Sequence, residues 1–317
     1  MMESSNLPKV TIVTLLYNTG TFVLESLECV KRQNYPNIEH IIIDDCSTDD
    51  SLKQVKEWIK LNNYNCILIE NEINRGVHYG LNTAIEIGTG KYLAFISDDL
   101  WIDNKLKMQI QLLESLGDEY AMIYSDLSEI NEDNQIVVNS KFIQKFGKDF
   151  KPPCGDIFID IVNVFFTFIQ TSIIRLEYIK LINFTFDKRI ISEDWHLALV
   201  LSRNFKIFGI ADITCFYRIR KHSIKNTLFL PGNMGRIYKS HILMFQLLFR
   251  HNVTNKREKE AILNKLIGYT SQLIKQNEEN FLIKLFYILK LNHYSFDLKT
   301  NARLLINVFT INFKRHL

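Results

Sequence analysis

Two short acidic clusters each follow a run of apolar residues. The first run is Ile41-Ile42-Ile43, leading into Asp44-Asp45-Cys46-Ser47-Thr48-Asp49-Asp50. The second is Tyr92-Leu93-Ala94-Phe95-Ile96, leading into Ser97-Asp98-Asp99. An apolar run that stops at carboxylates reads as a buried strand delivering acid groups to one edge of a sheet. Ligands of open α/β sheets bind outside the carboxyl ends of the strands. Carboxylates there repel a bare phosphate, so a phosphorylated ligand needs a divalent cation between them. Aspartate oxygens, completed by phosphate and water, suit Mg²⁺ or Mn²⁺. Taken singly, each cluster is equally well a turn with helix caps. Two on one sheet edge are harder to explain as punctuation.

Two further groups join them. In Asn74-Arg75-Gly76-Val77-His78-Tyr79-Gly80, glycines allow close backbone approach at a helix start, and Arg75 favours a phosphate or sugar hydroxyls. In Glu193-Asp194-Trp195 a carboxylate can act as general base on a hydroxyl, and Trp195 can stack on a sugar. The plainer reading is a pair of acids complementing a helix dipole.

The elements that must position these groups alternate. Strands are predicted at Val10–Leu15, Glu39–Ile43, Cys66–Ile69 and Tyr92–Ile96. Helices are predicted at Thr21–Gln33, from the Ser47–Ser51 caps to Leu61, and at Gly76–Ile87. This order predicts an α/β fold with a mostly parallel sheet and helices on both faces. Beyond Asp99 the pattern loosens. A helix fits Lys105–Leu116 and a strand Ala121–Ser125, and the polar stretch Asn131–Gly155 reads as a mobile loop over the site. Strands or short turns resume at Val164–Ile174, a helix runs from the Glu193 motif through Leu201, and Phe205–Ile213 and Cys215–Arg220 read as closing strands. From about Asn233 onward the pattern is helical.

Bulk composition narrows the class. The 317 residues are 47% hydrophobic and 23% charged, ordinary for a folded protein, and the net charge of +3 gives no reason to expect nucleic-acid binding. Five scattered cysteines without CxxC spacing (Cys29, Cys46, Cys66, Cys154 and Cys215) read as reduced thiols in a cytoplasmic protein. No signal-peptide pattern is expected at the N-terminus, and no apolar stretch approaches the ~18 residues of a membrane span.

Together these residues carry a resemblance. The chain resembles the GT-A-fold family 2 glycosyltransferases, the group that includes bacterial surface-polysaccharide synthases. The resemblance begins at Val10-Thr11-Ile12-Val13-Thr14-Leu15-Leu16-Tyr17-Asn18. It continues through Ile43–Asp49, Asn74-Arg75-Gly76 and Gly90–Asp99, and ends near Glu193-Asp194-Trp195, covering roughly residues 9 to 220. It implies an inverting enzyme that moves a sugar from a nucleotide-diphosphate donor, a UDP-sugar by family habit, to an acceptor hydroxyl. The acceptor it suggests is a lipid-linked glycan of O-antigen or capsule synthesis. By the same resemblance Thr14 and Tyr17 line the nucleotide pocket, with Arg75 and Gly76 beside it. Asp45 binds the base, Asp98 contacts the ribose, and Asp98 and Asp99 hold Mn²⁺ or Mg²⁺. Asp194 is the base, and Glu193 and Trp195 touch the acceptor. Two departures stand out: Ile96 replaces a further Asp found in many relatives, and Arg220 stands two residues after Arg218, where relatives often carry His, with His222 two positions later. A rival reading is a non-catalytic nucleotide-sugar binding or scaffold protein. A nucleotidyltransferase would need a basic glycine-rich loop where Leu16–Thr21 stands, and no GxGxxG supports a dinucleotide oxidoreductase.

Residues 1–220 are thus expected to form the catalytic domain and 221–317 a helical region. Residues 281–317 carry six cations (Lys284, Lys290, Lys299, Arg303, Lys314, Arg315) against Asp297, interleaved with large apolar residues. This pattern fits equally a surface resting on an anionic bilayer, at the cytoplasmic face of the inner membrane, and a packed helical appendage. A homodimer contact is a further use of the apolar tail.

Overall fold

A computed structural model describes residues 7–221, 233–250 and 255–275. The tail 281–317 and His222, with the expectations placed on them, lie outside these residues. Contacts divide the chain into two units, Met1–Lys188 with Glu193–Arg220, and Arg189–Ser192 with Lys221–Leu317.

The first unit opens with the alternation read from the sequence. Its elements are β1 (Val10–Leu16), α1 (Phe22–Lys31), β2 (Ile38–Asp44), α2 (Ser51–Leu61), β3 (Ile67–Glu70), α3 (Val77–Ile87) and β4 (Tyr92–Ile96). The four strands are parallel, in the order β3-β2-β1-β4. The chain therefore builds outward from β1 to β3 and then returns to the other side of β1. The switch point of the sheet lies between β1 and β4, the crevice where open α/β sheets take their ligands.

The second half adds antiparallel pairs to this parallel set, so the α/β sheet as a whole is mixed. It comprises β5 (Leu100–Trp101), α4 (Lys105–Ser115), β6 (Tyr120–Ile130), β7 (Ile136–Val138), α5 (Lys141–Phe146), α6 (Phe158–Asn163), β8 (Ile173–Arg175), α7 (Leu176–Leu181), α8 (Glu193–Asn204) and β9 (Lys206–Arg218). The sheet continues β4-β8-β6-β9-β5, and β8 runs antiparallel to both β4 and β6. Three-residue β8 joins two parallel sets without a crossover helix, which an antiparallel neighbour does not need. The two closing strands expected at the end are one bulged strand, β9, parallel to β6.

The polar stretch after β6 is built rather than loose. β6 runs on past Ser125 because its polar side chains find partners. Ser125 shares a hydrogen bond with Thr214, Ser128 donates to the Asn139 carbonyl, and Glu129 pairs with Lys141. Asp126 accepts from the Phe142 amide at 2.9 Å and from the Ser140 hydroxyl, pinning the start of α5. Phe142, Phe146, Phe150 and Phe166 then pack as an aromatic cluster. Charged residues at its surface hide this core from a composition reading.

Side chains alternate across a strand, and in β1 this decides two environments. Val10, Ile12 and Leu16 face the core under α1, α2 and α4. Val13 and Leu15 face the opposite side, where α3 begins. Gly90, just before β4, has no room for a side chain, since a Cβ there would lie 2.5 Å from the Thr11 amide nitrogen.

In the second unit, helices Met234–Arg250 and Lys256–Lys275 pack through Phe245 and Tyr269, stacked 6.0 Å apart. The Ile191 amide donates to Ser240 at 2.7 Å. Among the described residues no helix is long and apolar enough to cross a membrane.

Candidate active site

A cavity of about 210 Å³ opens at the switch point, lined from β1 by Val13 and Leu15, from α3 by Val77 and Leu81, and by Ser97, Asp98 and Asp99 just after β4. Ile169 and Gln170, Glu193 of α8 and Tyr217 of β9 close its other side. Residues from far apart in the chain thus meet at one rim. Ser97 is fixed there by donating to the Leu15 carbonyl at 2.7 Å.

Asp45 follows β2 and grips the turn before α3. One carboxylate oxygen accepts from the Asn71 side chain (2.9 Å) and the Arg75 amide (2.8 Å), the other from the Gly76 amide (2.7 Å). Gly76 has φ of +84°, a conformation other residues rarely adopt, and it caps α3 one residue before Val77. Asp45 therefore sets the position of the cavity wall. Arg75 is exposed, its guanidinium 4.4 Å from the centre of the Tyr79 ring.

Asp98 and Asp99 are held by β9. Buried Asp99 accepts from the Arg218 amide at 2.9 Å, and its own carbonyl accepts from Ser26 of α1. Arg218 is enclosed: it donates to the Asp98 carbonyl, to Asn134 and to Glu25, with its guanidinium over Phe22. Arg220 lies against the Asp98 carboxylate and donates to the Asn18 carbonyl at 3.1 Å.

The start of α8 brings Glu193 to the cavity, and Asp194 accepts from the Trp195 amide. Burial, then the charge of Asp194, push the Glu193 carboxyl well above the ordinary carboxylate range. The Tyr217 phenol is pushed up by burial and by the charges of Asp99, Asp98, Glu129 and Asp194.

Two residues are not where the resemblance implied. Thr14 lies on the inner face of β1, fully buried, with its hydroxyl 2.9 Å from His40 Nε2. It cannot line the pocket, because period-two alternation gives that face to Val13 and Leu15. Trp195 is buried, donating to the Ile161 carbonyl at 2.8 Å and packing against Phe165. It ties α8 to α6 and is unavailable to stack on a sugar. Tyr17, by contrast, stands 39% exposed just beyond β1.

A model of the family described as "Glycosyl transferase family 2" matches residues 11–168, the segment that supplies Asp45, Arg75, Gly76, Asp98 and Asp99. The chain belongs to glycosyl transferase family 2. Among similar family members is the Escherichia coli protein named UDP-Glc:alpha-D-GlcNAc-diphosphoundecaprenol beta-1,3-glucosyltransferase WfgD, 34% identical over 42% of this chain and 50% of WfgD. The Amylovoran biosynthesis glycosyltransferase AmsB of Erwinia amylovora is 27% identical over 69% of this chain and 75% of its own. With WfgD and several other curated relatives, the match spans half of their length or less. The GT-A fold is shared with S. aureus TarS 1-349 in complex with UDP (TM-score 0.63, 15% identity, 98% of this chain and 92% of that one). It is shared too with the mannosyltransferase PcManGT from Pyrobaculum calidifontis in complex with GDP-Man and Mn²⁺ (TM-score 0.61, 15% identity, 97% and 81%).

In this family 2 chain the donor set for a metal is lean. Among the described residues no three His, Cys, Asp or Glu side chains gather into a metal-holding group. Asp98 and Asp99 still offer hard oxygens at the cavity, which fits a Mg²⁺ or Mn²⁺ ion whose other ligands are phosphate and water. Sequence reasoning missed Leu15, Ile169 and Gln170 as lining residues. Alternation along β1 could have found Leu15. Nothing local marks Ile169 and Gln170, which reach the rim only through the turn that precedes β8.

Proposed function

We propose that the protein is an inverting glycosyltransferase that uses a nucleotide-diphosphate sugar, a UDP-sugar first, and an acceptor hydroxyl. The observation that carries this reading is the single cavity at the β1/β4 switch point, with Asp98, Asp99 and Glu193 on its wall and Asp194 beside it. Asp45 supports uracil in particular. An ionised carboxylate has about four acceptor sites, and protein donors fill three of those on Asp45. One remains, which suits the single ring N–H of uracil. The exposure of Tyr17 just beyond β1 supports assigning it to cover the base.

In the reaction the acceptor oxygen attacks the anomeric carbon, and the bond to the diphosphate oxygen breaks, its electron pair leaving with the phosphate. The hydroxyl proton passes to Asp194. Glu193, whose carboxyl retains its proton to higher pH, is a hydrogen-bond donor to sugar hydroxyls rather than a second base. A cation held by Asp98, Asp99 and the diphosphate would stabilise the charge on the leaving group as a Lewis acid. The names of relatives such as WfgD support a lipid-linked acceptor in surface-polysaccharide synthesis, hence peripheral membrane association.

Asp194→Asn keeps an oxygen for the Trp195 amide, so the fold and UDP affinity should survive. Turnover should fall ~10²- to 10⁴-fold, the usual worth of general-base assistance. Transfer at the wild-type rate by a folded variant would remove Asp194 from the chemistry. UDP binding with neither transfer nor donor hydrolysis in the wild type would favour the scaffold reading.

A further inference from the structure

One cation at the rim is used by no step above. Arg220 follows β9, and its guanidinium spans two strand ends, lying against the Asp98 carboxylate after β4 and donating to the Asn18 carbonyl after β1. The Arg220 and Asp98 side chains are 21% and 15% exposed, so the pair is partly withdrawn from water yet reachable from it. Arg218, two residues earlier, differs. Its side chain is 0% exposed, and Asp98, Asn134 and Glu25 take up its donors. Of the two arginines, Arg220 is the one whose guanidinium solvent reaches.

Asp98 faces two demands. It is one of the two aspartates that would hold a divalent cation, and its carboxylate already carries a guanidinium. Two cations cannot share that carboxylate at full strength, so an arriving metal loosens the ion pair. A guanidinium released between the ends of β1 and β4 lies where a nucleotide diphosphate sits in an open α/β sheet. Its planar fork of donors matches phosphate oxygens, and its charge does not depend on pH. We propose that Arg220 is a tethered counter-cation: it holds Asp98 until a ligand arrives, competes with divalent metal for that carboxylate, and then binds the donor diphosphate. The last step rests on the nucleotide-sugar reading given above. The competition with metal does not.

The test compares wild type, Arg220→Gln and Arg220→Lys, with thermal melts to establish folding. Mn²⁺ alone is titrated by calorimetry or electron paramagnetic resonance, and UDP is titrated in EDTA. Removing a competing charge at this partly buried site should tighten Mn²⁺ binding to Arg220→Gln by about fivefold or more. Losing charge-assisted hydrogen bonds should weaken its metal-free UDP binding by about tenfold or more. Arg220→Lys should fall between on both measures, and it carries the test should Arg220→Gln fail to fold. Equal Mn²⁺ affinity in all folded proteins overturns the competition, and unchanged UDP affinity in EDTA overturns the diphosphate role. If UDP fails to bind the wild type with or without Mn²⁺, the nucleotide reading itself falls together with the diphosphate role, while the Mn²⁺ titration still decides the competition.

Discussion

Cys46 sits beside Asp45 with φ of +64°, a left-handed conformation that costs an ordinary side chain about 1–2 kcal/mol. Its thiol makes only a long contact, 3.5 Å, to the Glu72 carbonyl. Cys46→Gly should therefore stabilise the protein by roughly 1 kcal/mol, less the glycine entropy cost, and raise the melting midpoint. Thr14 gives the opposite case. Thr14→Val leaves the buried His40 Nε2 without its 2.9 Å partner, at a cost of about 1–3 kcal/mol. Because Thr14 faces away from the cavity, UDP affinity should stay within about twofold of wild type once stability is controlled. A large loss of UDP binding in a well-folded Thr14→Val would restore Thr14 to the pocket.

The end of β9 acts as a clasp. Through Arg218 it joins the loop after β4, helix α1 and the turn near Asn134. Removing one partner of a buried ion pair typically costs ~3–5 kcal/mol, and Glu25 is 38% exposed, which trims that figure. Arg218→Met should lower unfolding stability by about 2–4 kcal/mol on this reasoning and loosen Asp98 and Asp99 with it. Denaturant titration measures the first effect. Weaker UDP binding in the surviving folded fraction measures the second. A melting midpoint equal to wild type would mean that the clasp adds little.

Two buried bases make separable contributions to the acid–base behaviour of the whole molecule. His40, between Thr14 and Tyr64, is held neutral by burial with its pKa down to about 3. Unfolded, it titrates near ~6.5. Between those values the unfolded chain binds the extra proton, so stability rises with pH there and is lost as pH falls. Lys105 is fully buried, donating to Gln109 and lying over Trp101, with its pKa lowered by burial to about 7. The same sign gives a gain from about pH 7 toward the unfolded value near ~10.4. Buried Cys29 and Cys215, with raised pKa values, oppose it once free thiols ionise. In urea unfolding, His40 and Lys105 should each add at most ~1.4 kcal/mol per pH unit within its own window. His241, lowered by burial to about 4, acts in the same sense as His40, while the raised Glu193 carboxyl acts in the opposite sense between the ordinary carboxylate value and about pH 8. His40→Gln should flatten the acid limb and Lys105→Met the limb above pH 7. An unchanged pH profile in both variants would place the dependence elsewhere.

What the sequence alone determined is local and periodic. Apolar runs ending in Asp45 and Asp98-Asp99 mark buried strands whose carboxyl ends carry acids. The glycine-marked turn at Gly76 and the strand–helix alternation through β4 follow from backbone and hydrophobic-period rules that act over a few residues. The tertiary structure alone decided which face each residue meets and what distant chain closes the rim. Thr14 and Leu15 are neighbours in sequence, yet alternation and the position of α3 send one to the core and the other to the cavity. Trp195 is spent on packing because α6 lies beneath it, and the polar stretch after β6 is ordered because Asp126 and the aromatic cluster need each other. Arg220 meets Asp98 across more than a hundred residues, through strand pairing that no local pattern encodes. Short-range preferences fix elements, and long-range packing assigns their side chains to chemistry or to support.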